Sequence, residues 1–380
     1  MRILIVSDVS SRMRGGVPAE TLSLVRGLTQ RGHRVALAAD LPLAGAERAR
    51  HFPITIPVKS SLSREVEHAI RRFEPDFVHV ICMSSTGVKR LAPLLRSRSW
   101  ALTVHSVPPY ERKLGLWHES EHLHYRARAL RFFINGLAWR WIFRSQIVPI
   151  IIVHSKFVED IVVSYGAPTD RVRVIPLAFE AGTRPQAGEQ PAPHRESPLL
   201  VTVGGFAHTK GQHDVVKALP MLLSKFPELR YQIIGEIRDP SYVAYLRRLA
   251  RDLKVTDHLH ITPDLARHDK ETVLKQAHIY IQPSHEEGFC IAYAEAAATV
   301  QRLVGTDAGA IASMSCDDAG ARVIHVRSPH EIALAVSELL RTSLSPGHMA
   351  DRILRLKQRF SSSGYLRAHE ELYGLDPCSS

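Results

Sequence analysis

At 380 residues, with 45% hydrophobic and 23% charged side chains, the chain has the length for two domains of ordinary size and the composition of a globular protein rather than a disordered or fibrous one. No apolar run approaches the ~20 residues that span a bilayer, and the opening MRILIVSDVSSR turns polar too early for a signal peptide, so a cytoplasmic location is expected. Cys82, Cys290, Cys316 and Cys378 are widely spaced with no CxxC pair, which argues against a disulfide framework and a structural zinc site.

The charge is uneven. Residues 1–150 hold 23 Lys+Arg against 11 Asp+Glu, a balance of +12, which leaves 26 against 27 for the rest. A basic first part suits an anionic partner: nucleic acid, a membrane surface or an anionic substrate.

RILIVS (2–7) is a continuous apolar run of the buried parallel-strand type. The loop DVSSRMRGGVPAE follows, then the helix ETLSLVRGLTQ, closed by Gly32 before the strand RVALAA. Gly15 and Gly16 therefore sit past the carboxyl end of the first strand, where the lack of a side chain allows close backbone approach to a ligand. Further strand and helix pairs are expected at PITIPV, SREVEHAIRRF, PDFVHVI, VKRLAPLLRS and WALTVHS. His105 ends the last of these and can donate to a phosphate or sugar oxygen; a backbone-satisfied histidine is the plainer alternative.

His118-Glu-Ser-Glu-His122 spells the H-E-x-x-H of zinc proteases. Its context fails: no Asp or Glu follows between Glu121 and Glu159, and no Gly-x-x-His follows. No metal is expected. Residues 126–144, RARALRFFINGLAWRWIFR, combine five aromatics with five arginines. This reads either as an interfacial helix that seats Trp139, Trp141 and Phe143 among lipid headgroups or as a helix packed on the sheet. The strands VPIIIVHS and DRVRVIP come next. Residues 181–198 are rich in Pro, Gly and Ala without apolar periodicity, the signature of a linker.

The second half opens with the strand LLVTVGG and the turn FAHTKGQHD, where Lys210 stands at a helix N-terminus in an arrangement suited to a diphosphate. RYQIIGE is the next strand, with Gly235 at its end, followed by the helix SYVAYLRRLARDL, the strand HLHIT and the helix DKETVLKQA. The stretch from His278 to Thr306 then reads as strand (HIYIQP), polar turn (SHEEG), alanine-rich helix (IAYAEAAA) and strand (RLVGT). Ligands of doubly wound sheets bind beyond the carboxyl ends of the strands, where a helix N-terminus favours phosphate. Glu286, Glu287 and Glu295 cluster there. Phosphate would repel them, so they suit hydroxyls, and the implied ligand has a phosphate part and a sugar part. HEIALAVSELL, RILRLKQRF and SSGYLRAHEELYG close the chain as helices.

The run EGFCIAYAE resembles the EGFG-x4-E signature of retaining glycosyltransferases of the GT-B fold, glycosyltransferase family 4. The resemblance implies an α/β protein of two Rossmann-like domains facing across a cleft: residues 1–180 for the acceptor, 199–358 for a nucleotide-sugar donor, and 359–380 as a C-terminal helix returning to the first domain. It implies catalytic roles for His105 and Glu287, with Glu287 on the donor sugar's hydroxyls. Donor contacts are implied at Gly16, Gly204, Lys210, Gly235, Gly288, Phe289, Cys290 and Glu295, the last on the ribose. The chain departs from the family pattern at Gly205 (for Arg), Cys290 (for Gly) and Arg302 (for Pro). With no DxD pair, a metal-independent transferase is expected, with no cofactor and the nucleotide-diphosphate sugar as substrate. The basic excess points to an acceptor that is lipid-linked or a glycan precursor, with Arg128, Arg131, Arg140 and Arg144 at an anionic membrane face and no nucleic-acid partner. The alternative is a degenerate GT-B protein that binds nucleotide sugar or membrane without turnover.

Overall fold

A strand buried on both faces must be apolar throughout, and the Val, Ile and Leu runs become two wholly parallel sheets. The computed structural model describes residues 1–7, 16–40, 48–54, 61–81, 84–105, 123–179, 197–237 and 239–374, without the side chains of 16, 123–133 and 267–268. These divide into two compact units, Met1–Ala178 with Ser362–Ser380 and Phe179–Ser361.

The first sheet runs β3-β2-β1-β4-β5-β6-β7, from β1 (Arg2–Ser7), β2 (Arg34–Ala39), β3 (Arg50–Pro53), β4 (Phe77–Ile81), β5 (Trp100–Thr103), β6 (Ile151–Val153) and β7 (Val172–Val174). The second runs β10-β9-β8-β11-β12-β13, from β8 (Leu199–Val203), β9 (Arg230–Gly235), β10 (Leu259–Pro263), β11 (Ile279–Gln282), β12 (Leu303–Thr306) and β13 (Ala321–Ile324). The strand order reverses beside β1 in one sheet and beside β8 in the other, which opens a crevice at the carboxyl ends there. Register at the second switch point pairs Leu200 with Ile279, so the loops after β8 and β11 emerge side by side.

The structure differs from expectation at two strands and decides between the two readings of one helix. The third strand is Arg50–Pro53, which ends on the first residue of PITIPV, and residues 55–58 of that stretch lie outside the described residues. β13 was not expected: only four residues long, it carries Arg322 and a half-exposed Val323 that mask its period. In the helix Leu123–Arg144, here α4 (after α1 Gly16–Gln30, α2 Leu62–Phe73 and α3 Ser85–Leu95), Trp139 and Phe143 are buried in the core with rings stacked at 5.4 Å, and only Trp141 of the three faces out. Residues 181–196 of the linker segment, Gly15, Cys82, Cys378 and the H-E-x-x-H stretch lie outside the described residues.

The terminal helix Ser362–Leu372 packs within the first unit, where Leu366 fills the space beside Gly27: a Cβ there would lie 2.5 Å from its Cδ2. Tyr373 just beyond it meets His79 Nδ1 with its hydroxyl at 2.7 Å, and Glu370 accepts from Arg31 at 2.7 Å.

In the second unit Arg352 is 1% exposed. It donates to Asp318 and to the carbonyls of Val300 (2.6 Å) and Gln301 (2.7 Å), and so ties the chain leading into β12 to a C-terminal helix. Arg352→Leu leaves a buried carboxylate and two carbonyls short of a donor, and is expected to destabilise this unit by about 3–5 kcal/mol in chemical denaturation. Adding Asp318→Leu should recover part of that loss; a single variant as stable as the wild type would show that the pair does not hold the unit.

Candidate active site

The two loops at the second switch point are fastened to each other. Gly211 has φ +63°, and a Cβ on it would fall 1.9 Å from the Pro283 carbonyl oxygen, so only glycine lets the turn after β8 lie against the loop after β11. His285 N–H donates to the Thr209 carbonyl (2.9 Å) and its Nε2 meets Asp214 Oδ2 at 2.6 Å. Gly235 serves the same closeness from β9, since a Cβ there would fall 2.1 Å from the Gly204 oxygen.

On this frame Lys210 and Glu287 meet at 2.7 Å, with 21% and 10% of their side chains exposed. Glu287 Oε1 also accepts from Ser284 Oγ (2.8 Å) and Gln282 Nε2 (3.3 Å), while Gln282 donates to Ser284 as well (2.8 Å). One carboxylate and one ammonium are thus held in fixed places at the mouth of the crevice. A carboxylate there accepts from hydroxyls and an ammonium there neutralises phosphate.

Cys290 has φ +81°, the left-handed region where the family signature has glycine. Burial, and next the Glu287 carboxylate, push its thiol well above the ordinary range, so it stays protonated and is no nucleophile. Phe289 is buried with its ring edge-on to Phe360 at 5.4 Å. Glu295 lies in the helix Ile291–Ala297, 49% exposed and paired with Lys270 at 3.1 Å. Arg302 donates to the carbonyls of Leu339 and Thr342, which gives it a structural task at the end of the helix Pro329–Arg341. Gly288 takes its place in the loop between Glu287 and Phe289.

The first unit gathers a second polar group. His105 Nε2 lies 2.9 Å from Glu20 Oε2, and His154 Nε2 lies 3.0 Å from Glu20 Oε1. Burial alone would raise the Glu20 carboxyl, but the charges of His154 and His105 bring it down to about 2. Burial lowers His105 to about 4 against the pull of Glu20, whereas at His154 the Glu20 carboxylate and the Ile175 carbonyl outweigh burial and raise it. Sequence reasoning found His105 but not Glu20 or His154. The signal was present: WALTVHS and PIIIVHS both end in Val-His-Ser, and β5 pairs with β6 in a register that aligns Thr103 with Ile152 and so sets His105 beside His154.

Other sites fall elsewhere. Gly16 is the first residue of α1 and its surroundings lie outside the described residues. The side chains of Arg128 and Arg131 are likewise not described. Arg140 packs over the Tyr165 ring at 5.1 Å, and Arg144 is exposed beside Gly166. These two arginines, with Leu137, Trp141 and Ser145, line a shallow groove of about 470 Å³ on α4.

Residues 14–181 match the family model described as Glycosyltransferase Family 4, and residues 184–355 match that described as Glycosyl transferases group 1, so the two together take in most of the chain. The chain belongs to glycosyltransferase family 4. Within this family it is 27% identical over 194 residues to D-inositol 3-phosphate glycosyltransferase of Xylanimonas cellulosilytica, a match covering 48% of this chain and 46% of the relative. It is 22% identical to phosphatidyl-myo-inositol mannosyltransferase of Mycolicibacterium smegmatis over 98% and 95% of the two chains. The first curated relatives are matched over about half of their length, 46% and 50%. Anabaena HepE, solved in complex with UDP and glucose, superposes with a TM-score of 0.73 at 14% identity over 98% and 99% of the two chains. The fold of this family 4 chain is thus the GT-B pair of parallel-sheet domains.

The histidines of the first unit set its response to acid. His105 and His369 are each lowered to about 4 and His79 well below its ordinary value, all chiefly by burial. Their native pKa values lie below the unfolded one, so the stability they confer is full above pH ~6.5 and is lost as pH falls toward 4, by up to about 1.4 kcal/mol per pH unit for each. His154, raised, works in the opposite sense. The melting temperature is expected to fall between pH 7 and 5, and His369→Phe should flatten that slope. A wild-type midpoint that is level across this range would contradict the assignment.

Proposed function

We propose that this protein transfers a sugar, with retention of anomeric configuration, from a nucleoside-diphosphate sugar held by the second unit to a lipid-linked acceptor or glycan precursor served by the first. The observation that carries the reading is the Lys210 and Glu287 pair, fixed at 2.7 Å at the switch point of the second sheet. A donor entering there exchanges that internal ion pair for its own contacts: the ammonium turns to the diphosphate, and the carboxylate accepts from sugar hydroxyls. Gly204 and the backbone of Gly288 and Phe289 leave room for the phosphates, Gly235 lets β9 lie close against Gly204, Glu295 takes the ribose, and Cys290 limits the space beside the sugar. The diphosphate is then neutralised by Lys210 and backbone amides without a divalent ion, stabilisation of a leaving group by fixed charges and dipoles. On this reading His105 serves the reacting end of the donor.

A panel of nucleotide sugars tested for protection against thermal unfolding identifies the donor, since a ligand at 100 times its Kd adds ~2.7 kcal/mol. With that donor, Lys210→Ala and Glu287→Ala are each expected to cut turnover at least about tenfold, the loss of one charge-assisted contact of ~1.5–3 kcal/mol. Wild-type turnover should survive EDTA. Full activity in both folded variants would refute the site.

The acceptor's setting follows from charge and exposure. Ile134, Leu137 and Trp141 on α4 are 58%, 50% and 53% exposed, and Arg140 and Arg144 lie beside them. No helix among the described residues is long and apolar enough to cross a membrane. A face of this kind suits peripheral contact with anionic lipid, each basic residue near the surface contributing ~1 kcal/mol. Co-sedimentation with anionic liposomes at low salt, weakening as salt rises, is expected, and changing Arg128, Arg131, Arg140 and Arg144 together to glutamine should abolish it. Equal binding by that variant would overturn this face as the membrane contact, and wild-type protein that ignores anionic liposomes at low salt would point to a soluble acceptor.

A further inference from the structure

Glu20, His105 and His154 form a cluster that glycosyl transfer does not by itself explain. Their nearest oxygen and nitrogen atoms all lie within 4.8 Å of one another, and Glu20 and His154 side chains are each 2% exposed. The two contacts, 2.9 and 3.0 Å, have the length of hydrogen bonds. Among the described residues, both ring nitrogens of His105 and Nε2 of His154 have no hydrogen-bond partner although they are shielded from solvent. The other nitrogen of His154 fixes its tautomer: Nδ1 lies 2.8 Å from the Ile175 carbonyl oxygen, which can only accept, so Nδ1 carries the hydrogen and the neutral ring turns its lone pair on Nε2 toward the carboxylate. Two electron-rich atoms at that separation need a cation to share. A backbone carbonyl holding the distal N–H of an imidazole is also the usual support for a metal-bound histidine.

We propose that Glu20, His105 and His154 bind a single divalent transition-metal ion of the zinc class. Two imidazole nitrogens and one carboxylate oxygen are a ligand set for that ion and leave a coordination position open. The carboxylate offsets part of the ion's charge in a buried place, and the ion takes the position of any proton that Nε2 of His154 and Glu20 would otherwise share. The functional consequence rests on the transfer reading above: a metal on His105 removes that ring from the donor's reacting end, so zinc is an inhibitor and the metal-free protein is the active one.

The test uses the full chain without an affinity tag, stripped with EDTA and titrated with cobalt(II) and with zinc. One equivalent is expected to bind tightly, and X-ray absorption of the zinc form should show two imidazoles and N/O distances of ~2.0–2.1 Å. His154→Gln and Glu20→Gln should each weaken uptake at least tenfold, whereas His118→Gln/His122→Gln and His285→Gln retain it. Should His154→Gln not fold, His105→Gln carries the same comparison. One equivalent of zinc should lower sugar transfer reversibly while protection by the nucleotide sugar is unchanged, which keeps this test separate from that of the donor site. No stoichiometric uptake by the wild type, uptake that persists in a folded cluster variant, or absorption data without imidazole would each overturn the metal site and leave a proton as the cation of the cluster.

Discussion

A parallel sheet covered on both faces leaves its polar chemistry one natural exit, the loops beyond the carboxyl ends of its strands. In this chain that constraint is met twice. Buried polar side chains in the strands are hydrogen-bonded internally, as Thr202 is to the Ile281 carbonyl at 2.6 Å. Lys210 and Glu287, the two charges at the crevice of the second sheet, both lie in the loops beyond strand ends, and their positions are set by which strands are neighbours rather than by which residues are neighbours in sequence. Lys210 and Glu287 are 77 residues apart in the chain and 2.7 Å apart in space because β8 and β11 are adjacent.

That explains what could be read from sequence and what could not. The α/β class was legible because runs such as RILIVS are too apolar for one-sided burial and alternate with amphipathic helices, two properties of local sequence. β13 was not, because an edge strand of four residues with a charged and an exposed position carries no clear period. At the candidate site, Glu287 and Lys210 stood out as residues in turns, but the Gln282 and Ser284 bonds that hold Glu287 depend on side-chain direction along one strand and the loop after it. Glu20 was missed for a different reason. It sits in the first turns of α1 as an ordinary helical glutamate, and only the arrangement of β1, β5 and β6 turns it inward to the two histidines.

Glu287 in the second unit and Glu20 in the first are held in different ways. In the second, the carboxylate near the crevice is met by a lysine, a pair with one member 21% exposed and so able to exchange partners when a ligand arrives. In the first, the carboxylate is met by histidines and is nearly inaccessible. A lysine partner stays charged at any physiological pH, while a histidine partner does not.

The departures at Gly205, Cys290 and Arg302 bear on the same point. Arg302 spends its donors on the carbonyls of Leu339 and Thr342 and leaves the crevice unaltered. Cys290 keeps the left-handed backbone that glycine would supply, so the loop carrying Glu287 retains its path, with a thiol added where there would be a hydrogen. Gly205 alone subtracts a charge, and the Gln212 amide that donates to its carbonyl at 3.2 Å is neutral. On the proposed reading, the charge that faces a diphosphate from the described part of this loop is Lys210, which makes the strength of its bond to Glu287 the quantity that donor binding has to overcome. A Glu287→Gln change keeps the shape and removes that competing charge, so it separates the two tasks of the carboxylate: tighter binding of a bare nucleoside diphosphate with weaker transfer is the pattern that holding the sugar and restraining the lysine together require.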